Sequence, residues 1–159
     1  MRMRACADKM LSRGGLRRFR TKHAKERIVF TNGCFDILHR GHIEILAKAK
    51  SFGDILIVGL NSDASVARLK GASRPFVGQE DRSYILAALE AVDYVVIFEE
   101  DTPLEAIREL EPDVLVKGAE YEHGKIVGSD IVEARGGRVE RVPMRPGYST
   151  TSLLEKIRR

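Results

Sequence analysis

Two histidines three residues apart, His39 and His42, are the residues of this sequence best suited to chemistry. Each imidazole can donate a hydrogen bond from a ring nitrogen and can gain a positive charge near neutral pH, so a pair of them suits the oxygens of a reacting phosphate. Gly41, between them, would let a ligand approach the backbone closely. If the pair lies at the start of a helix, unpaired backbone N–H groups and the helix dipole add to the same site. The spacing therefore predicts an anion site, although residues 31–42 have neither the Walker A pattern nor the GxGxxG fingerprint.

The same histidines have two other interpretations. His39 could cap a turn while His42 fills the first turn of a helix, with no part in binding. A zinc site would need further ligands, and the remaining histidines, His23 and His123, lie in neither an HExxH nor a CxxC pattern. We therefore expect no metal ligands on the chain itself.

A hydroxyl-rich segment, GYSTTS at residues 147–152, precedes the last predicted helix. Ser152 and Glu155 fit a capping box, which is its purely structural interpretation. Hydroxyls beside free N–H groups at a helix start can also hold a phosphate chain. Because this segment and the histidines both follow strands of one predicted sheet, we expect them to meet at one edge.

Four further charged residues are candidates for ligand contact. Lys70 begins a loop over residues 70–75 that carries two cations and could close over a ligand, Arg82 starts a helix, and Lys117 ends an apolar strand. Singly, each could be an ordinary surface charge. Asp36 could accept hydrogen bonds from N–H groups of its own turn, or could contact substrate or a magnesium-bound water.

Alternating strand and helix patterns define the fold that must position these residues. Five apolar or β-branched runs predict strands at residues 27–31, 55–60, 94–98, 113–118 and 138–142. Helical periodicity predicts helices at residues 43–50, 63–69, 80–92, 104–110 and 128–134 and at the C-terminus, with Asp63 and Thr102 as caps of two of them. The alternation predicts a three-layer α/β/α sandwich around a five-stranded, parallel, Rossmann-like sheet. In the strand order 3-2-1-4-5, ligands bind beyond the carboxyl ends of the first and fourth strands.

Composition limits the class of protein. The 159 residues, 43% hydrophobic and 31% charged, predict one globular domain, and no apolar run approaches the roughly 20 residues that cross a bilayer. Cys6 and Cys34 are the only cysteines, which predicts free thiols. With no recognisable secretory signal, we expect a cytoplasmic protein with no membrane partner.

The net charge of +4 is unevenly distributed. Residues 1–26 hold nine Lys/Arg and two Asp/Glu, whereas the rest holds 18 and 21. We expect residues 1–26 to form a basic arm or solvated helix, ahead of a domain over residues 27–159. The alternatives are a transit peptide and a nucleic-acid-binding arm, but the acidic body argues against nucleic acid as a partner.

The motifs together resemble a known family. A TNGCFDILHRGH turn with a distal GYSTTS resembles the HxGH-type nucleotidyltransferases. The likeness extends over residues 27–158 to the adenylyltransferase domain of ADP-heptose synthases, through the segments LNSDASVARLKG, ALEAVDYVVIFEEDTP, PDVLVKGAEY and VEARGG. Glu120 stands where members commonly have Asp, and Arg145-Pro146-Gly147 replaces the Arg-Thr-x-Gly lead-in of cytidylyltransferase relatives.

The resemblance implies a reaction: ATP and D-glycero-D-manno-heptose 1-phosphate give ADP-heptose and pyrophosphate, with Mg²⁺, for lipopolysaccharide core or surface glycan synthesis. It implies a stand-alone adenylyltransferase without the sugar kinase to which this domain is often fused, and a homodimer. The implied catalytic residues are His39, His42 and Lys117. The implied nucleotide-binding residues are Thr31, Asn32, Gly33, Cys34, Phe35, Gly41, Gly118, Tyr148, Ser149, Thr150 and Thr151. The implied substrate-binding residues are Asp36, Lys70, Arg82, Glu120 and Tyr121.

Two other functions remain open from the sequence. A sister enzyme, such as a glycerol 3-phosphate cytidylyltransferase or an FAD synthetase, would use the same phosphate site. A non-catalytic nucleotide- or nucleic-acid-binding module would instead depend on the basic arm, and its binding would weaken with salt.

Overall fold

The computed structural model describes residues 4–159, so the first three residues of the predicted arm lie outside the described part. Its strands are β1 (Met10–Leu11), β2 (Ile28–Gly33), β3 (Ile55–Asn61), β4 (Tyr94–Phe98), β5 (Val114–Gly118) and β6 (Arg138–Val142). Its α-helices are α1 (Leu16–Lys22), α2 (Arg40–Lys50), α3 (Asp63–Lys70), α4 (Gln79–Ala88), α5 (Leu104–Leu110), α6 (Ser129–Ala134) and α7 (Thr150–Ile157). Short 3₁₀ turns span Cys6–Lys9, Arg13–Gly15 and His123–Lys125.

All six strands form one parallel sheet in the order β1-β4-β3-β2-β5-β6. The five predicted strands are β2 to β6, and their order is the predicted 3-2-1-4-5. The prediction of five strands was wrong by one. Met10 and Leu11 pair with Val95 and Val96 and add a short strand at the β4 edge. Two residues are too short a run for an alternating pattern to be visible.

The sheet separates two hydrophobic layers, because successive side chains of a strand point to opposite faces. On one face Val29 and Val58 pack with Leu46 of α2 and Leu86 of α4. On the other, Phe30 and Ile57 of the sheet pack with a second set of helical residues: Leu16 and Phe19 of α1, Ile107 and Leu110 of α5, and Val132 of α6. The predicted three-layer sandwich is therefore confirmed.

From its charge we expected the basic segment to form an arm or a solvated helix, but in the structure it packs against the domain. Leu16 is fully buried and Phe19 is 9% exposed in α1. Several of its cations are bound to the body: Arg13 pairs with Glu100 and Glu109, Arg20 pairs with Asp113, and Lys9 donates to the carbonyl of Val92. The excess positive charge of the segment thus neutralises carboxylates of the acidic domain. Arg17, Arg18, Lys22 and Lys25 remain exposed.

Several helix ends differ by a few residues from the sequence-based expectations. Ser62 rather than Asp63 caps α3, through an Oγ that accepts the N–H of Ser65 at 3.1 Å. Pro103 occupies the N-cap position of α5 that we predicted for Thr102. Helix α2 begins at Arg40, three residues before its apolar pattern, and this earlier start places His39 at its N-cap.

Candidate active site at the carboxyl ends of the strands

A cavity of about 560 Å³ opens where the polypeptide leaves the carboxyl ends of β2, β3 and β5. A recess of about 130 Å³ adjoins it, and both are lined by Asn32, Gly33, Phe35, Lys117, Tyr121 and Met144. Predicted residues that line the larger cavity are Asn32, Gly33, Cys34, Phe35, Asp36, His39, Lys70, Lys117, Tyr121, Ser149, Thr150 and Thr151. Thr31, His42, Gly118 and Glu120 line the recess. Gly41, Tyr148 and Arg82 line neither of them.

The turn after β2 contains a residue, Phe35, whose backbone conformation is rare for residues other than glycine. Phe35 has a φ of +46°, in the left-handed region, and is 8% exposed. Its ring lies against Gly33, where an added Cβ would come within 3.1 Å of it. The same ring lies 5.2 Å from the His42 imidazole, centroid to centroid. The strained turn therefore places an apolar ring beside the His42 imidazole.

Backbone hydrogen bonds fix both imidazoles at the start of α2. The backbone N–H of Gly41 donates to His39 Nδ1 at 3.1 Å, and the backbone N–H of His39 donates to His42 Nδ1 at 3.3 Å. In a neutral imidazole whose Nδ1 accepts, the proton lies on Nε2. Each histidine therefore presents an Nε2–H donor, which is the polarity that a phosphate oxygen requires.

The environment keeps these rings neutral when no ligand is bound. Burial lowers the pKa of His39 below its ordinary value. Burial, together with the neighbouring His39 ring, lowers the pKa of His42 to about 4. The two rings stack with their centroids 3.8 Å apart, so a positive charge on one disfavours a charge on the other. At pH 7 both rings are thus neutral donors, whereas the sequence left open that they could carry a positive charge.

Gly41 provides room for this arrangement. A Cβ at Gly41 would lie 3.0 Å from Nδ1 and Cε1 of His39 and 3.2 Å from the Cβ of Tyr148. The glycine therefore lets the His39 ring and the chain before α7 approach the same turn of α2. Its predicted role was contact with a nucleotide, and the structure shows it in contact with protein groups.

The N-terminus of α7 forms another part of the cavity wall. Ser149 is the N-cap: its Oγ accepts from the backbone N–H of Ser152 at 3.0 Å, and Ser152 Oγ accepts from the N–H of Ser149 at 3.2 Å. This capping box begins three residues earlier than the predicted Ser152–Glu155 pair. Thr150 and Thr151 therefore occupy the first helical turn and line the cavity, where unpaired N–H groups favour an anion.

An exposed charge cluster joins this segment to α2. Arg145 donates from Nε to Glu44 Oε2 at 3.2 Å, and its second ion pair to Glu44 Oε1 is also 3.2 Å long. Arg40 Nε donates to the same Oε1 at 2.8 Å. The sequence showed no clear role for Arg145. In the structure its ion pair links the segment before α7 to α2.

Lys117 lies inside the cavity, close to two groups on neighbouring elements. Its Nζ is 3.4 Å from both the backbone oxygen and Oδ1 of Asn32, and 4.7 Å from the centroid of the Tyr121 ring. Burial lowers the pKa of Lys117, against the opposing effects of Glu120 and Cys34. The carboxylate of Glu120 folds back over Gly118, where a Cβ would collide with it. The contacts of Lys117 to Asn32 are long and therefore weak. A phosphate ligand in the cavity could displace them.

Arg82 lies beneath the cavity, and its guanidinium is hydrogen-bonded to other groups of the protein. Its side chain is 1% exposed. Its Nη1 donates to the carbonyls of Cys34 at 2.6 Å and Asn61 at 2.9 Å, its Nε to Val77 at 2.8 Å, and its Nη2 to Asp63 at 2.7 Å. The predicted contact with a sugar phosphate is at odds with this burial. Arg82 instead ties α4 to the turns after β2 and β3.

Asp36 is likewise used within the protein. Its carboxylate accepts from Arg74 Nε at 2.7 Å and from the backbone N–H groups of Phe76 and Val77 at 2.9 Å each. Burial raises the pKa of Asp36, but the Val77 and Phe76 N–H groups and the Arg74 guanidinium outweigh burial and lower it overall. Thr31 is similar, because its hydroxyl donates to the carbonyl of Val116 at 2.9 Å and links β2 to β5.

Some cavity residues were not identified from the sequence: Asn61, Leu69, Arg74, Asp101 and Met144. Arg74 had a visible signal, since it is the second cation of the loop that we expected to close over a ligand. Asn61 and Met144 had none, because a single polar or apolar residue beside a strand carries no pattern.

Comparison with known proteins identifies the family. The cytidylyltransferase-like family model matches residues 30–155. The chain belongs to the cytidylyltransferase-like family. This membership confirms the kinship that the TNGCFDILHRGH and GYSTTS motifs indicated, and residues 6–22 lie outside the matched range.

Members of the family that are similar to this chain include proteins named bifunctional protein HldE. The one from Geotalea uraniireducens is 61% identical over 133 residues, which are 84% of this chain and 27% of that protein. Those from Geobacter sulfurreducens and Helicobacter pylori are 60% and 55% identical, over 83% and 87% of this chain and 27% and 29% of theirs. The chain thus spans about a quarter of the length of these relatives.

Solved structures give the same fold. A lipopolysaccharide core biosynthesis protein from Thermoplasma volcanium is 27% identical, with a TM-score of 0.61 over 76% of this chain and 97% of that one. A pantoate-beta-alanine ligase from Francisella tularensis, solved with beta-gamma ATP and beta-alanine, is 17% identical and shares the fold, with a TM-score of 0.65 over 92% of this chain and 72% of that one. Within residues 4–159, no helix has the length and apolar character needed to span a bilayer.

Proposed function

We propose that this chain transfers AMP from ATP to D-glycero-D-manno-heptose 1-phosphate, giving ADP-heptose and pyrophosphate. The observation that carries the proposal is that His39 and the N-terminus of α7 line one cavity, with His42 in the adjoining recess. The choice of sugar is supported by the resemblance to ADP-heptose synthases and by identities of 55–61% to the HldE proteins. The product would serve lipopolysaccharide core or surface glycan synthesis in the cytoplasm.

The donors at the cavity fit nucleotidyl transfer without a protein base. A sugar 1-phosphate is largely a dianion at pH 7, because its second pKa is about 6. One of its oxygens can therefore attack the α-phosphorus of ATP directly, and the bond from that phosphorus to the pyrophosphate oxygen breaks. Charge develops on the α-phosphoryl and pyrophosphate oxygens, towards which the two Nε2–H groups and Lys117 would donate. The protein's part is alignment and electrostatic stabilisation.

The nucleotide would lie between the turn after β2 and the start of α7. The N–H groups and hydroxyls of Ser149, Thr150 and Thr151 would hold its phosphate chain. Thr31 would support the site indirectly, through its bond to Val116, rather than by touching the ligand.

Magnesium would enter with ATP as part of the substrate. Among residues 4–159 no group of three or more His, Cys, Asp or Glu side chains could hold a metal ion. Asp36 is taken up by the loop over residues 74–77, and Asp101 is paired with Arg68 at 2.7 Å. We therefore place Mg²⁺ on the phosphate oxygens of ATP and not in a cage formed by residues 4–159.

A sister activity is the second candidate, because the matching family model describes cytidylyltransferase-like proteins. Glycerol 3-phosphate cytidylyltransferase and FAD synthetase would use the same histidine pair. Base selection separates the proposed function from glycerol 3-phosphate cytidylyltransferase, and the acceptor separates it from an FAD synthetase, which also uses ATP. The expected homodimer stays a prediction.

Pyrophosphate release in the presence of Mg²⁺ tests the proposal. The substrate pairs are ATP with β-heptose 1-phosphate, ATP with the α-anomer, and CTP with glycerol 3-phosphate. We expect release only with ATP and one heptose 1-phosphate anomer. Release only with the cytidine pair would move the protein to the sister activity, and a silent wild type with all three would contradict nucleotidyl transfer to either acceptor. The His42→Asn variant, assayed in parallel, separates the protein's own turnover from contaminating activity.

A further inference from the structure

Arg74 is a cavity cation that neither the motifs nor the comparisons assign. It lies in the connection between α3 and α4 and lines the cavity together with Lys70, the last residue of α3. These two cations belong to the half of the chain that contributes β3 and β4. The α7 N-terminus, proposed above for the ATP phosphates, belongs to the other half.

Asp36 sets the orientation of the Arg74 guanidinium. Arg74 Nε donates to Asp36 Oδ2 at 2.7 Å, and the Asp36 side chain is only 1% exposed. The guanidinium carbon also lies 4.9 Å from the centroid of the Phe76 ring, and the backbone N–H of Phe76 is bound to the same carboxylate. A guanidinium anchored at Nε keeps both of its Nη groups for another ligand, and within residues 4–159 no hydrogen bond from either Nη group is found.

The charge balance of this wall favours a phosphate. The Asp36 charge is compensated by Arg74 and two backbone N–H groups, and the Asp101 charge by Arg68. Lys70 is exposed and has no ion pair in the described part of the chain. This wall thus carries one net positive charge and a cavity-lining guanidinium with two available Nη groups, and guanidinium binds phosphate oxygens in a bidentate manner.

An acceptor phosphate needs such a contact for a physical reason. The attacking dianion must approach the α-phosphate of ATP, which is itself negative. A cation bound to the acceptor phosphate reduces this repulsion and holds an oxygen in line with the bond that breaks.

We infer that Arg74, held by Asp36, binds the phosphate group of the acceptor and so selects phosphate monoesters as acceptors. The inference rests on the proposed function. In it Asp36 is a positioning residue, because it acts through Arg74 and does not itself contact the substrate.

Steady-state kinetics of the full chain with ATP and heptose 1-phosphate test the inference. Arg74→Met keeps most of the side-chain length and removes the donors. We expect the KM for heptose 1-phosphate to rise about 10- to 100-fold while the KM for ATP changes less than about threefold, which is the effect of losing charge-assisted hydrogen bonds to one substrate. Arg74→Lys keeps the charge and loses the fork, so its rise should be smaller. Arg108→Met, at an exposed site on α5, is the matched control and should behave as wild type.

A double-mutant cycle tests the positioning role of Asp36. Asp36→Asn should raise the same KM, and the combination with Arg74→Met should raise it by clearly less than the product of the two single effects. Fully multiplicative effects would contradict a role exerted through Arg74. Equal increases in the KM for ATP and for heptose 1-phosphate, or no change in either, would overturn the acceptor assignment.

Direct binding separates this inference from the proposed function. If the wild type releases no pyrophosphate, the proposed function fails, and calorimetric titration with inorganic phosphate and with heptose 1-phosphate still decides on Arg74. Weaker binding to Arg74→Met and Arg74→Lys than to Arg108→Met would support a phosphate subsite. Equal binding to all of them, or no binding to wild type, would overturn it.

Discussion

The His39 and His42 rings stack at 3.8 Å, and the Nδ1 atom of each accepts a backbone N–H from the first turn of α2. The helix start thus has a double function. It caps its own N–H groups with imidazoles, and in doing so it directs the remaining ring protons to the Nε2 atoms. The structure shows the capping, and the same arrangement leaves the two Nε2 donors that the proposed phosphate recognition requires.

Replacing His42 by Asn should separate these two functions. Asn can place its Oδ1 near the position of Nδ1 and keep the bond from the His39 N–H, but it has no donor at the Nε2 position. We expect turnover to fall on the order of 10²-fold or more, as for the loss of a transition-state donor, with a small change in thermal midpoint. Pyrophosphate release and calorimetric melting measure the two effects. Turnover close to wild type would remove His42 from the mechanism.

Lowered histidine pKa values predict a pH dependence of stability. The folded pKa of His42, about 4, lies below the ordinary 6.5, so the unfolded chain binds a proton that the folded chain does not. The free energy of unfolding should therefore decrease as the pH falls from about 6.5 towards 4. The lowered pKa of Asp36 acts only below about 3.8, outside this window.

Urea denaturation at pH 7, 6 and 5 measures this slope. His42→Asn should show a smaller decrease than wild type, and the remainder should come from His39, whose pKa is lowered in the same direction. Parallel curves for the two proteins would contradict a buried, neutral His42.

Gly41→Ala should disturb the site more than the fold. The added methyl group meets the His39 ring at 3.0 Å and Tyr148 at 3.2 Å, so either the ring or the segment before α7 must shift by a few tenths of an ångström. We expect turnover to fall at least tenfold, because small misplacements of catalytic groups are costly. Gly14→Ala is the control, since a Cβ there meets nothing within 4 Å. Equal turnover in both variants would show that the Gly41 contacts are not important.

Arg82→Met should act mainly on stability. It leaves the carbonyls of Cys34, Asn61 and Val77 without their buried donor, and such losses cost about 3 kcal/mol or more together. Chemical denaturation should show a loss of this size. A stable variant with only a raised KM for the acceptor would instead support the direct contact that the sequence predicted.

Local patterns explain how far the sequence could be read. The five long strands were predictable, since apolar or alternating runs of about five to seven residues alternate with helical periodicity, whereas their order was inferred from the fold type and not from any spacing. The histidine pair was predictable because His39, Gly41 and His42 lie within four consecutive residues. The sequence did not show the intramolecular bonds of Asp36 and Arg82, because their partners, Arg74 and Asn61, are 38 and 21 residues away. A charge looks the same in sequence whether it faces a ligand or a buried carbonyl.

The segment that precedes β2 provides a further test, and also a test of the nucleic-acid alternative. Leu16→Ala should cost about 2–5 kcal/mol of unfolding free energy, because Leu16, in α1, is completely buried. Reversing two exposed charges with Arg17→Glu and Arg18→Glu should leave stability and turnover unchanged. Salt-dependent oligonucleotide binding that this double variant abolishes would revive a nucleic-acid role for the segment.

The two-residue strand β1 also has a consequence for solubility. Without it, the backbone of Val95 and Val96 in β4 would present unpaired N–H and C=O groups along an apolar edge, which is a template for pairing with other chains. The opposite edge, β6, carries Arg138, Glu140 and Arg141, whose charges discourage such pairing. We therefore expect the segment before β2 to protect the chain against aggregation. Charged side chains cover one edge of the sheet. The short strand β1, held in place by Lys9 and Arg13, covers the other.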